Sequence, residues 1–317
     1  MIYDWRMVRA LVVSACVAVL AAPLLAQPQP EPPKPVQPEA ISLSGVPLYP
    51  PDPIPNREQL LRDLQEAQSL ANTTTPEAII WMGRRQAYLW RYRDAIATFT
   101  KGIERYPADA RMYRHRGHRY ITTRQFDLAR KDLSRAASLI RGKADEVEPD
   151  GAPNPSGQPR STLHFNIWYH LGLAHYLQGD FAKAREAYLS CMAVSKNDDA
   201  VVATSDWLWM TLMRLGRKDE AAKVLERITP AMDILENGAY HRRLLMYKGL
   251  EKPEALLETK GSDATSIATQ GYGVGNYYLV TGDTERARRV FAQVVTGSGW
   301  NAFGYIAAEA DLARKAW

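Results

Sequence analysis

From Asn56 onward, apolar residues recur at helical spacing almost without a break. Asn56 is placed to cap a helix over "REQLLRDLQEAQSLA", and Thr75-Pro76 marks a second start, a capping threonine followed by proline in the first turn. The last stretch, "WNAFGYIAAEADLARKAW" from Trp300 to Trp317, reads as a closing helix. The alternation of β-branched residues that marks strands is absent, so the expected fold class is all-α. Ahead of Asn56 the pattern changes twice. An apolar run extends from Ala10 to Ala26, and residues 27–55 are dense in proline, which predicts an extended linker.

The helices recur in pairs, and the pairs have a period. Gly83 and Gly117 are 34 residues apart, as are Tyr92 and Phe126, Ala95 and Ala129, and Phe99 and Leu133. Gly172, Phe181, Ala184 and Tyr188 repeat the second copy at a displacement of 55. The excess of 21 falls in residues 141–161, whose four prolines and glycines predict a mobile surface loop rather than a helix. Gly179, Gly216, Gly249 and Gly282 follow at intervals of 37, 33 and 33, each where a helix would end in a left-handed turn. Inside the helices a glycine costs roughly 1 kcal/mol against alanine. Gly83, Gly117 and Gly172 are therefore predicted to stand where two helices approach closely.

The copy "WYHLGLAHYLQGDFAKAREAY" resembles the tetratricopeptide repeat, with Trp168, Leu171, Gly172, Ala184 and Tyr188 at signature positions. It departs at His175, and the fourth copy has Trp209 where a glycine is expected. The resemblance spans roughly residues 76–295. It implies a right-handed α-solenoid of about six helix pairs over residues 56–317. Trp300–Trp317 would close it as a capping helix, turning Glu309, Asp311, Arg314 and Lys315 outward. The function it implies is protein–protein interaction through a concave groove, as scaffold or adaptor.

Charge and cysteine narrow the setting. The chain carries a formal +5 over 317 residues, too mild for a nucleic-acid partner. Arg6 and Arg9 before the apolar run, with small residues at its end, have the layout of a secretory signal over residues 1–26. An uncleaved anchor is the competing reading and the one route to a membrane. Either address implies an exported, periplasmic or envelope-associated protein. Only Cys191 lies beyond that segment, so stability is expected to come from packing rather than a disulfide.

Candidate chemistry is sparse. The six histidines form no H-E-x-x-H or Cys/His cluster. "GYGVG" (Gly271–Gly275) lacks the preceding strand and the Lys-Ser/Thr of a phosphate loop and reads as a tight helix crossing. Cys191 falls on an inward helix face. These patterns imply no enzyme, cofactor or metal; an extracytoplasmic enzyme or a glycan-binding module with an aromatic pocket at Tyr169 and Trp207 remains the alternative. On the first helix of each pair, the groove-facing register selects Arg84 and Tyr88, then Arg111, Arg114, His115 and His118. It continues through Tyr169 and His170, Trp207 and Met210, and Arg243, Tyr272 and Asn276. Arginines flanked by aromatics suit a protein or peptide partner with acidic or carboxylate groups.

Overall fold

A computed structural model describes residues 37–317 apart from 72–74, 150–153, 259 and 316–317. The apolar run and the signal or anchor expected over residues 1–26 lie outside them. No described helix is long and apolar enough to cross a membrane.

A small antiparallel hairpin comes first, β1 (Ala40–Ile41) paired with β2 (Pro47–Leu48). Helix α1 (Arg57–Ala71) follows and packs on α2. Six helix pairs then run in sequence: α2 (Pro76–Tyr88) with α3 (Tyr92–Arg105), α4 (Ala110–Thr122) with α5 (Phe126–Leu139), and α6 (Leu163–Leu177) with α7 (Phe181–Val194). Next come α8 (Asp198–Arg214) with α9 (Lys218–Glu226), α10 (Gly238–Tyr247) with the single turn α11 (Pro253–Leu256), and α12 (Ala264–Thr281) with α13 (Thr284–Val294). Helix α14 (Phe303–Arg314) ends the chain. The result is an all-α solenoid.

Local chemistry sets the helix ends. Thr75, Asp109, Thr162, Asn197 and Asp263 each cap a first helix of a pair by accepting a backbone N–H from its first turn. Past the first helix of the later pairs, Gly179, Gly216, Gly249 and Gly282 hold positive φ, as their spacing predicts. In the first two pairs the same position is Trp90 (φ 61°) and Arg124 (φ 64°). A side chain in that left-handed conformation costs on the order of 1–3 kcal/mol. Both residues recover it in tertiary contacts: Trp90 packs edge-on against Trp300 at 5.1 Å, and Arg124 binds Glu309 at 2.8 Å.

The helical glycines explain the period. Gly83 lies under the ring of Phe99, Gly117 under Leu133, Gly172 under Tyr188 and Gly275 under Phe291, always 16 residues on. A β-carbon at Gly172 would stand 2.7 Å from Cε1 of Tyr188, which is itself fully buried. Gly172→Ala is therefore expected to lower stability by about 1–3 kcal/mol. A urea midpoint equal to wild type for that variant would remove the packing role. In "GYGVG", Gly271 faces Val294 and Gly273 faces the Arg243 stem, a close helix crossing.

Three expectations change. Helix α14 is no outward-facing end cap. It packs on α6, α12 and α13, the first helices α6 and α12 offering the face assigned above to the groove. Its Glu309 and Asp311 are buried. Glu309 binds Arg124, and Asp311 pairs with Arg214 and accepts the Tyr272 hydroxyl at 3.0 Å. The helix has apolar residues on most sides, so its few carboxylates must be neutralised from the solenoid. Residues 37–55, the described part of the expected linker, are not extended throughout: Ala40 and Leu48 are buried, and the Tyr49 carbonyl accepts the Trp300 indole N–H at 2.7 Å. Residues 141–161 do lack a helix but are tied down wherever they are described. Val147 bridges to Thr162, and the Asp145 side chain accepts the Thr162 hydroxyl and the His164 amide. Arg160 reaches Asp233 at 2.6 Å.

Candidate binding site

The residues assigned to the groove divide into two groups. Trp207, Met210, Arg243, Tyr272 and Asn276 have no exposed surface at all. Arg243 pairs with Asp206 at 2.9 Å and lies over the rings of Tyr240, Trp207 and Tyr272 at 5.4–5.8 Å. Tyr169 accepts the Trp207 indole N–H at 2.8 Å and donates to the Tyr240 hydroxyl at 2.9 Å. Tyr169, Trp207 and Tyr240 satisfy one another, so the aromatic pair is a piece of interior rather than a sugar pocket. Periodicity placed them on the right helix face; α14 and α10 cover that face.

The second group stays together and borders open space. Arg84 and Tyr88 on α2, with Arg114, His115, His118 and Arg119 on α4, line a cavity of ≈ 120 Å³. Its remaining polar wall is Glu148, from the segment between α5 and α6. Helical spacing builds it: Arg84 and Tyr88 stand one turn apart, as do Arg114 and His118, and His115 and Arg119. Arg84 lies over the Trp81 ring at 4.4 Å and donates to Tyr88 Oη at 3.3 Å. Arg114 binds Glu148 at 3.0 Å and reaches His115 Nδ1 at 3.1 Å. His118 stacks obliquely on His170 with ring centroids 4.4 Å apart, and Phe303 of α14 closes over both.

The electrostatics are one-sided. Burial holds Arg119 down to about 10, the Arg114 and Arg84 charges adding to it and the Tyr92 ring opposing. Burial, then the neighbouring arginines, holds His115 and His118 well below the ordinary imidazole range; His170 is held there too, against a bond to the Asn166 carbonyl. All three imidazoles are neutral at pH 7. Glu148 stands 3.8 Å from His115 Nε2 but is already committed to Arg114. Arg111 does not join this cluster as a free cation. It grips its own cap Asp109 at 2.6 Å and Glu77 at 2.9 Å.

A second cavity, of ≈ 220 Å³, adjoins through Arg84, His115 and Glu148, and Ile80, Trp81, Val147 and Pro149 give it an apolar rim. Arg119 is the site residue that a reading of the sequence misses, although it stands one turn beyond His115. Glu148 is legible only as one of the acidic residues Asp145, Glu146, Glu148 and Asp150 in the loop beside the arginines, able to screen them; the fold selects it, carrying it to Arg114 from 34 positions on.

The tetratricopeptide repeat family model matches residues 165–198, the third pair with its glycine–tyrosine contact. The third pair is a tetratricopeptide repeat. Two solved structures are similar to this repeat protein. One is YrrB, described as a TPR protein with an unusual peptide-binding site, at 14% identity and TM-score 0.40, covering 75% of this chain and 91% of that one. The other is Naa15/Naa10 bound to HypK-THB, at 13% identity and TM-score 0.36, covering 76% of this chain. This repeat protein spans about a third (34%) of that second chain. No curated protein matches the sequence.

Proposed function

We propose that this chain is an exported, non-enzymatic adaptor that holds a protein or peptide partner where α2, α4 and residues 145–149 meet. The observation that carries the reading is an arginine-walled cavity opening onto an apolar rim at Trp81. The partner lays an apolar side chain on that rim and an acidic group in the cavity, where arginine forks suit oxyanions. The tetratricopeptide architecture supports binding over catalysis, since it offers a rigid surface between helix pairs. Export rests on the layout of residues 1–26, and a periplasmic or envelope location follows from it.

Selection of peptides from a random displayed library tests this. Acidic peptides carrying an apolar residue are expected to be enriched, with binding that weakens as salt rises. Trp81→Ala and Arg84→Glu should each reduce capture of those peptides at least tenfold while helix content by circular dichroism is unchanged. Equal capture by both variants, at the wild-type salt sensitivity, would reject the site.

A further inference from the structure

Charge does not balance around the ≈ 120 Å³ cavity. Among the described residues, Arg84, Arg114 and Arg119 border it, against the single carboxylate of Glu148. That carboxylate is spent twice over, on Arg114 at 3.0 Å and on the Asn166 amide at 3.1 Å. His115 and His118 are neutral and add nothing to the sum. The wall therefore carries a net charge of +2. Neither Arg84 nor Arg119 has a carboxylate partner among the described residues, and each settles for an aromatic face: Trp81 for the first, Tyr92 at 5.6 Å for the second.

Hydrogen bonding is incomplete at the same place. Nε of Arg114, on a side chain 8% exposed, and Nδ1 of His118 are both buried without a partner. Buried polar atoms are nearly always paired in native proteins, so two orphans on one cavity wall mark a place that something completes. The space is several times the ~30 Å³ that a water molecule occupies in the liquid.

We infer that this cavity binds a compact dianionic oxyanion, a phosphoryl group, rather than a single carboxylate. A dianion cancels the +2, whereas a carboxylate leaves one half-buried cation of the wall, Arg84 or Arg119, without a counter-charge. Its three or more acceptor oxygens can serve Arg84, Arg114 and Arg119 at once, and a carboxylate has only two. The inference deepens the reading above, because it names the acidic group that the partner presents, with the Trp81 rim taking the residue beside it. The chemistry is the same whether the group is free phosphate or is displayed on a peptide.

The test is calorimetric titration and thermal denaturation of the whole chain at pH 7.5 and constant ionic strength, with phosphate, sulfate and acetate. Phosphate and sulfate are expected to bind saturably and raise Tm; acetate should do neither. Arg119→Gln should weaken phosphate binding at least tenfold, yet raise Tm of the anion-free protein, because it removes an uncompensated charge. A purely structural Arg119 would give the opposite sign, a lower Tm. Arg289→Gln, on the exposed face of α13, should change neither quantity. A phosphoserine peptide binding at least tenfold tighter than phosphate, with its unphosphorylated twin silent, assigns the group to a partner; equal affinities assign it to free phosphate. Acetate binding as well as phosphate, no anion binding at all, or undiminished affinity in Arg119→Gln overturns the inference. Peptide capture that depends on Trp81 without any oxyanion binding would end this inference and leave the adaptor reading standing. Oxyanion binding without peptide capture would do the reverse.

Discussion

Asp311→Ala is expected to cost about 3–5 kcal/mol, the penalty for stranding a buried charge. Asp311 has no exposed surface, and Arg214, its partner from α8, has a side chain only 7% exposed. The Tyr272 hydroxyl loses its acceptor in the same variant. Native domains hold about 5–15 kcal/mol in total, so this loss is about a fifth or more of what keeps the chain folded. With a urea slope near 3 kcal/mol/M, the midpoint should fall by about 1 M or more. Asp127→Ala is the control. That carboxylate pairs with Arg130 but is 80% exposed, and exposed pairs contribute about 0–1 kcal/mol. Replacing both partners, Arg214→Met with Asp311→Leu, should recover part of the loss, since it removes the stranded Arg214 charge while the Tyr272 hydroxyl and Arg314 still lose Asp311. A midpoint for Asp311→Ala no lower than that of Asp127→Ala would mean that α14 is not anchored by its carboxylates.

Mild acid should destabilise the fold almost as strongly. His115, His118 and His170 are neutral when folded, because burial and the charges of Arg114, Arg84 and Arg119 disfavour the imidazolium. Around them stand Arg84 and Tyr88 (α2), Phe99 (α3), Tyr169 (α6) and Phe303 (α14), together with Glu148, which Arg114 already holds. The unfolded chain protonates all three near pH 6.5, so it binds more protons than the native state below that value. Stability is therefore intact above pH 6.5 and falls as the pH drops through it, until the folded imidazoles themselves protonate. Each histidine loses up to about 1.4 kcal/mol between pH 7.5 and 5.5, or at most about 4 kcal/mol for the three. Asp206 acts with the opposite sign. Burial raises its carboxyl against the pull of Arg243, so the native state takes up a proton there first and returns up to about half of that loss. The net expectation is a fall of about 2–4 kcal/mol, measured as urea midpoints at pH 7.5, 6.5 and 5.5. His118→Asn with His170→Asn should flatten the slope. Midpoints independent of pH over this range would show that these imidazoles are solvated.

How much of the chain was legible before folding depends on how local each determinant is. The helices, their caps and the left-handed turns at Gly179, Gly216, Gly249 and Gly282 follow from residues within a turn or two of each other. The glycine-to-aromatic contact is nearly as local, since a fixed step of 16 residues places Gly83 under Phe99 and Gly172 under Tyr188. The sequence by itself therefore determined an all-α stack of tetratricopeptide helix pairs and put Arg84, Arg114, His115 and His118 on one face. Only the tertiary structure decided which part of that face is open. Periodicity says where a side chain points along its own helix, but not what arrives from far along the chain to cover it. Helix α14 brings Glu309 to Arg124 across 185 positions, which closes the face over α6 and α12 and takes Trp207 and Arg243 into the interior. Among the described residues of the segment after α5, one carboxylate, Glu148, faces three arginines at the α2–α4 end, and a charged cavity remains there.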